Sequence, residues 1–373
     1  MISFRRCVLI AFFLLSCLYL LRTSHQEIQN VPLQNNKPES NSSPSSTPTT
    51  NPLQQKLSED ELARKPLRER LRYQFPYHLE SKLPAYIWQT WKHTPASGRF
   101  SEKLRPLEAS WTEAHPGFVH QVLDNNGALY LLKYLYAAFP EILDAYQSMP
   151  LPVLRADFFR YLVLLARGGI YTDIDTYAIK SATEWLPDSF DRSTIGLIIG
   201  IEADPNREDW AKWYSRRIQF CQWTIQAKPG HPVLRDVVSV ITEEALRMKN
   251  MNILSKSKMD RSIVEFTGPA VWTDAIFRYF NNPLYFDVKD SNISFTEFTG
   301  MTKQKKLGDV AILPITSFSP GVGQMGAEEP EHEMAFVKHE FSGMSNNITL
   351  RQLFAANISI GSWKPPAERA IGH

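Results

Sequence analysis

An α/β domain with a mainly parallel central sheet is predicted by three features of this 373-residue chain. Strand-like and helix-like runs alternate from residue 83 to residue 203. Hydrophobic residues make up 43% and charged residues 21%, the balance of a globular protein with a sizeable core. One apolar strand-like run ends in an acidic pair, where such sheets gather ligands at strand C-terminal ends.

The folded body starts near Leu83. PAYIWQTW (84–91) and FVHQVLD (118–124) read as strands, and ALYLLKYLYAAF (128–139) has apolar helical periodicity. VLRADFFRYLVLLARGG (153–169) reads as a helix ended by a glycine in the manner of a left-handed C-cap. IYTDID and STIGLIIGIEA (193–203) follow as strands. Ahead of this body, residues 56–75 read as a charged helix with Ser58 as N-cap and Glu61 three residues on. No repeat at solenoid spacing is visible.

Arg5 and Arg6 precede an uncharged, mostly apolar run from Cys7 to Leu21, which Arg22 closes. Such a run spans about 22 Å as a helix, short for a bilayer but suited to thinner early secretory membranes. It ends Leu-Leu-Arg-Thr-Ser-His with no small-x-small cleavage site, so an uncleaved anchor is favoured over a signal peptide. Leading positive charge puts the N-terminus in the cytoplasm and the body in the lumen. The expected order is a cytoplasmic tail (1–6), a single-pass anchor (7–22), a stem (23–82) and a catalytic domain (83–373). The stretch NNKPESNSSPSSTPTTNP lacks the apolar residues to offset ordering entropy and reads as disordered stem. Cys7 and Cys17 lie in the apolar run, leaving Cys221 alone in the body and no disulfide framework there. A net charge of +2 carries no nucleic-acid signal.

The acidic pair is Asp173 and Asp175 in GGIYTDIDT (168–176). A bare Asp-x-Asp is expected about once by chance in a chain this size, so context must decide. In a strand the two carboxylates project to one side and repel unless a cation or donor protons compensate. A hard divalent ion shared with a diphosphate would do so. Asp157 and Arg160 share one face of the preceding helix, whose apolar stripe is Leu154, Phe158, Tyr161, Leu162 and Leu165. They form either an intrahelical ion pair or a phosphate and sugar clamp at the strand's mouth. A haloacid-dehalogenase-type phosphatase needs Asp-x-Asp-x-Thr, and here Tyr177 takes the threonine's place. A glycosidase pair remains open.

RADFFRYLVLLARGGIYTDIDT resembles the signature of glycosyltransferase family 32. LPAYIWQTWK (83–92) is similar to the family's opening strand, with Trp88 in place of the commoner His and so given no catalytic role. SWTEAHPGFVHQVLDN (110–125) resembles the next strand. GIEADPNREDW, RRIQFCQWTIQAKPGHPVL, FTGPAVWTDAI and LPITSFSPG resemble its fungal initiation-specific α-1,6-mannosyltransferase branch. The resemblance runs from about Leu83 to Pro365. It implies a GT-A type fold (Rossmann-like), GDP-mannose as donor, Mn²⁺, and a Golgi type II membrane protein adding mannose with retention to the core N-glycan of glycoproteins. By resemblance, Asp173 contacts the donor's ribose or sugar, Asp175 ligates the metal, and Asp157 and Arg160 hold the donor. His339 is a further candidate ligand, Ser362 and Trp363 belong to a donor loop, and Glu202, Asp204, Gly268, Thr273 and Asp274 are candidates for the acceptor side. Glu202, Asp204 and Asp274 are also the candidates for a double-displacement carboxylate, which a front-face mechanism does not need.

The branch's compact C-terminal motif is split here: VKHEFSG ends at Gly343 and GSWKPP begins at Gly361. Removing 344–361 restores VKHEFSGSWKPP, and the segment's codons can supply intron donor, branch and acceptor signals. It is read as a retained intron, with a genuine surface insertion as the alternative. Sequons at Asn41 and Asn292 fit lumenal exposure, while those at Asn347 and Asn357 lie in the suspect segment. The alternatives within the family are a paralogue in an outer-chain elongation complex with other mannosyltransferases, or an enzyme acting on inositol phosphorylceramide. The latter class carries C-terminal membrane spans, and residues 310–373 contain no long apolar run. A tethered lectin that had lost turnover would have lost acidic site residues, which are present.

Overall fold

The computed structural model describes residues 59–255, 263–287 and 292–340. They belong to one unit beginning at Leu57. The anchor, most of the stem, Ser58, Asn41, Asn347, Asn357, Ser362, Trp363 and the 344–361 segment lie outside the described residues. Among the described residues no helix is long and apolar enough to cross a membrane.

The charged segment ahead of the domain is two helices, α1 (Glu59–Ala63) and α2 (Leu67–Gln74). Pro66 splits it, because proline cannot donate a helical N–H and drives its predecessor out of the helical region. The chain then enters β1 (Tyr86–Thr90), crosses through α3 (Arg105–Ala114) and returns parallel to β1 as β2 (Val119–Leu123). Asp124 caps α4 (Asn125–Leu135), its Oδ1 accepting from Gly127 N–H at 2.7 Å. This helix ends four residues short of the predicted Phe139, because α5 (Pro140–Ser148) starts with its own proline. The long helix α6 (Pro152–Arg167) leads into β3 (Gly169–Thr172), parallel to β1 on the side away from β2.

Glycines 168 and 169 make the α6–β3 junction. Both have positive φ, but the ψ of −163° at Gly168 is not that of a left-handed cap. The requirement is close approach: a Cβ on Gly168 would lie 2.7 Å from the Ala227 carbonyl, and one on Gly169 2.6 Å from the Tyr86 carbonyl.

The remaining strands are β4 (Thr176–Ala178), β5 (Leu197–Ala203), β6 (Gln219–Phe220), β7 (Thr224–Ala227), β8 (Lys305–Leu307), β9 (Val310–Leu313) and β10 (Val337–His339). The main sheet runs β2-β1-β3-β7-β5-β9-β8, with β6 on β5, and β4 pairs with β10 alone. This sheet is mixed rather than mainly parallel. Pairs β1–β2, β1–β3 and β5–β9 are parallel, whereas β7 runs against both its neighbours and β8 against β9. The alternation of strands and helices holds only to β3. Beyond it β5 leads through an excursion back to β6 and β7, with no α-helix between them to reverse the chain direction.

Side chains on both sheet faces are apolar and buried. Leu197, Ile199 and Ile201 of β5 join the core formed with α4, α5, α6, α7 (Pro232–Asn250) and α9 (Pro269–Phe280), the latter preceded by α8 (Ile263–Phe266). Ile198, one residue out of phase, joins Trp111, Trp185 and Phe318 of α10 (Ile315–Phe318) on the other face. The predicted stripe of α6 is buried, but so are Phe159, Val163 and Leu164 on its flanks. Asp157 and Arg160 are therefore core residues, and the intrahelical ion pair between them is a buried one.

Candidate active site

The Asp173–Asp175 pair sits in a tight turn at the C-terminal end of β3, not in a strand as predicted. Asp173 N–H donates to the Trp223 carbonyl at 2.9 Å, the last rung of the β3–β7 ladder. The Asp173 carbonyl then accepts from Thr176 N–H at 3.2 Å and Thr176 Oγ1 at 2.6 Å, closing the turn. Thr176, out of place for a phosphatase, is the turn's lock, held in turn by Trp111 Nε1 at 3.0 Å. Beyond the turn β4 pairs antiparallel with β10, which puts His339 opposite Thr176. Glu340 N–H donates to the Asp175 carbonyl at 2.8 Å. His339 Nε2 thereby comes 3.6 Å from Asp175 Oδ1.

One ligand atom from each of Asp173, Asp175 and His339 lies within 4.8 Å of the others. Two carboxylates and an imidazole suit a hard or borderline divalent ion, and the three lie close enough together to be candidates for one. The Trp223 ring meets the His339 ring edge-on at 4.9 Å.

Behind this cluster Arg160 is buried, and its Nη2 serves two carboxylates, Asp157 Oδ1 at 2.9 Å and Asp173 Oδ1 at 3.1 Å. Its Nε and Nη1 have no hydrogen-bond partner, and its guanidinium lies 5.1 Å over the Tyr171 ring. Asp157, expected at the donor's hydroxyls, is buried with both oxygens engaged. Thr267 Oγ1 donates to Oδ2 at 2.8 Å and Gln222 Nε2 to Oδ1 at 3.4 Å. Tyr161 completes the frame, donating to Gln222 Oε1 at 2.8 Å. Asp173 Oδ1 also accepts from Tyr171 at 3.0 Å, and Gln89 Nε2 donates to the Asp173 carbonyl at 3.2 Å. Burial pushes Asp157 up to about 6 against the pull of Arg160, and burial with the neighbouring Asp175 charge raises Asp173 as well.

Of the candidates for the acceptor side, the fold brings Glu202 near this centre. It lies at the end of β5, takes a 2.8 Å hydrogen bond from Gln219, and feels the charges of Arg160 and Asp173. Burial pushes its carboxyl up to about 7. The other four have packing tasks. Asp204 accepts from Arg217 at 2.8 Å, Thr299 at 2.9 Å and Gly300 N–H at 2.7 Å. Asp274 shares Arg216 with Glu265, Thr273 Oγ1 accepts from Phe220 N–H, and a Cβ on Gly268 would strike Val264 at 2.7 Å. Trp88 packs on Tyr86 and donates to the Gly168 carbonyl at 2.9 Å, a structural task. Asn292 is exposed.

Sequence reasoning missed Tyr161, Tyr171, Gln222, Trp223 and Thr267. Gln222 and Trp223 lie in RRIQFCQWTIQ and Thr267 in FTGPAVWTDAI, stretches singled out for resemblance without any role for these side chains.

Residues 101–191 match the family described as the glycosyltransferase sugar-binding region containing a DXD motif. An initiation-specific α-1,6-mannosyltransferase of Candida albicans is 43% identical over 291 residues, covering 74% of this chain and 76% of that protein. Its Schizosaccharomyces pombe namesake is 45% identical over 273 residues, covering 73% of this chain and 65% of the relative. That of Saccharomyces cerevisiae is 31% identical over 82% of this chain and 83% of its own length. The turn carrying Asp173 and Asp175 falls within the matched region, and the chain belongs to glycosyltransferase family 32, in the branch of the fungal initiation-specific α-1,6-mannosyltransferases.

Proposed function

We propose that this protein transfers mannose from GDP-mannose, with retention of configuration, to form an α-1,6 linkage on the core N-glycan of glycoproteins, initiating the outer mannan chain. The convergence of Asp173, Asp175 and His339 in front of a buried arginine with two uncommitted nitrogens carries the reading, and the names of the relatives support the sugar and linkage. Asp173, Asp175 and His339 would hold Mn²⁺, which when bound compensates charge on a departing nucleoside diphosphate. Arg160 presents N–H groups to diphosphate oxygens in a site shielded from water, where such bonds are strongest. Asp157, Thr267 and Gln222 fix the guanidinium, so Asp157 acts through Arg160. Tyr171 and Arg160 together orient Asp173 toward the donor. Glu202, whose carboxyl burial pushes up to about 7, would exchange a proton with an acceptor hydroxyl.

The GT-A type of fold, the anchor at residues 7–22, the lumenal Golgi location and a donor loop bearing Ser362 and Trp363 complete the proposal. The test is transfer by the full-length chain in detergent, with GDP-mannose, Mn²⁺ and a high-mannose N-glycan. The expected product carries one added mannose removable by an α-1,6-specific mannosidase. No transfer, or a mannose resistant to that enzyme, would refute the reading.

A further inference from the structure

We propose that Trp213, on the excursion between β5 and β6, is the stacking platform for the oligosaccharide acceptor; the inference rests on the functional reading above. The topology places the excursion beside the donor site. β5 runs against β7, and β7 starts opposite the end of β3, so the C-terminal end of β5 lies on the same sheet edge as Asp173. The chain leaves that edge after Glu202 and returns at Gln219, which pairs with Ala203.

The excursion is pinned at its feet. Arg217 donates to Asp204 at 2.8 Å, and Arg216 grips Asp274 at 2.6 and 2.7 Å and Glu265 at 3.0 and 3.2 Å. Within it Trp213 is 36% exposed and tethered by its own neighbours. Its Nε1 donates to Asp209 Oδ2 at 3.1 Å, Arg207 Nη2 donates to the same oxygen at 2.9 Å, and the Arg207 guanidinium lies 5.1 Å from the ring. Exposing an indole costs hydration free energy, and orienting it costs rotamer entropy, so an exposed ring oriented by a hydrogen bond suits a ligand with a flat apolar face. The pyranose C–H face of a sugar is one. These arginines are each matched by a carboxylate of this chain, so the surface is balanced for a neutral glycan and not for an anionic ligand. The acceptor side accordingly lies at this exposed ring, outside the packed Asp204, Thr273 and Asp274.

The experiment compares full-length wild type, Trp213→Ala and Trp213→Phe, reading both retardation on an immobilised high-mannose glycan and steady-state transfer. For Trp213→Ala the glycan Kd and the acceptor KM should each rise about tenfold, the size of one lost stacking contact. kcat at saturating acceptor, the KM for GDP-mannose and the melting temperature should stay within about twofold or a few degrees of wild type, and Trp213→Phe should fall between. A glycan Kd and acceptor KM unchanged in Trp213→Ala would overturn the proposal, as would an equal rise in the KM for GDP-mannose. If wild type binds the glycan but transfers nothing, the functional reading fails and the Kd of Trp213→Ala still decides the platform.

Discussion

Replacing Arg160 by methionine removes the cation that the buried Asp157 and the partly exposed Asp173 share. Arg160 and Asp157 are each 3% exposed, and one nitrogen, Nη2, lies 2.9 Å from Asp157 and 3.1 Å from Asp173. Even with the arginine present, burial pushes Asp157 up to about 6, so without it both carboxyls rise further. Breaking a buried pair by removing one partner costs about 3–5 kcal/mol, a fall in melting temperature of about 10 °C for a domain of this size. The pH dependence has a definite sign. A folded-state pKa raised above the unfolded value of about 3.9 contributes stability below that value and loses it as pH rises through the folded pKa. The Arg160→Met penalty should therefore be largest near about pH 7.5 and less than half as large near about pH 5. The double variant Asp157→Asn/Arg160→Met should recover part of the loss. Thermal unfolding of the full-length protein without added metal reads all three effects. An equal penalty at both pH values, or one below about 1 kcal/mol, would refute the account of a buried Asp157–Arg160 pair.

Two further predictions concern the scaffold. Gly169→Ala puts a Cβ 2.6 Å from the Tyr86 carbonyl at a φ of +94°; it should cost about 3 kcal/mol or more in urea unfolding, and a loss under about 1 kcal/mol sinks the close-approach argument. Asp309, at the sheet edge opposite the site, accepts from Tyr77 and from Tyr279 at 2.8 Å, with His231 Nε2 at 3.3 Å. Burial alone would raise its carboxyl, but His231, Tyr77 and Tyr279 hold it well below the usual range. That stability is present above the unfolded value of about 3.9 and lost as pH falls through the folded pKa. Asp309→Asn should cost about 1–3 kcal/mol near neutral pH and progressively less in acid, so parallel wild-type and variant curves would contradict it.

Up to β3, the elements β1, β2, α4, α6 and β3 were legible because apolar periodicity and the glycine pair after α6 mark them, whereas α3, α5 and the cap at Asp124 were not anticipated. The mixed sheet was not, since the direction of β7 depends on where a long excursion returns, which no local period encodes. At the site, the Asp157–Arg160 spacing was readable as a shared helix face, but its burial was not. That burial comes from Gln222 and Thr267, which reach Asp157 from 65 and 110 residues away. The Asp-x-Asp pair also illustrates the limit: strand alternation put both carboxylates on one side, whereas Thr176 closes a turn that aims them together. His339 enters the site through the β4–β10 pairing, a register set by tertiary contacts.

The most direct test of a metal–diphosphate centre at this turn is GDP-mannose binding to the full-length chain as Mn²⁺ is titrated. Wild type should bind the donor about 100-fold tighter at saturating Mn²⁺, while Asp175→Ala should respond less than about threefold and lose about 10³-fold in transfer. Asp188→Ala, at an exposed position outside the motif, should match wild type. Donor binding that tightens equally in Asp175→Ala, or wild-type transfer undiminished after removal of divalent ions, would contradict the account.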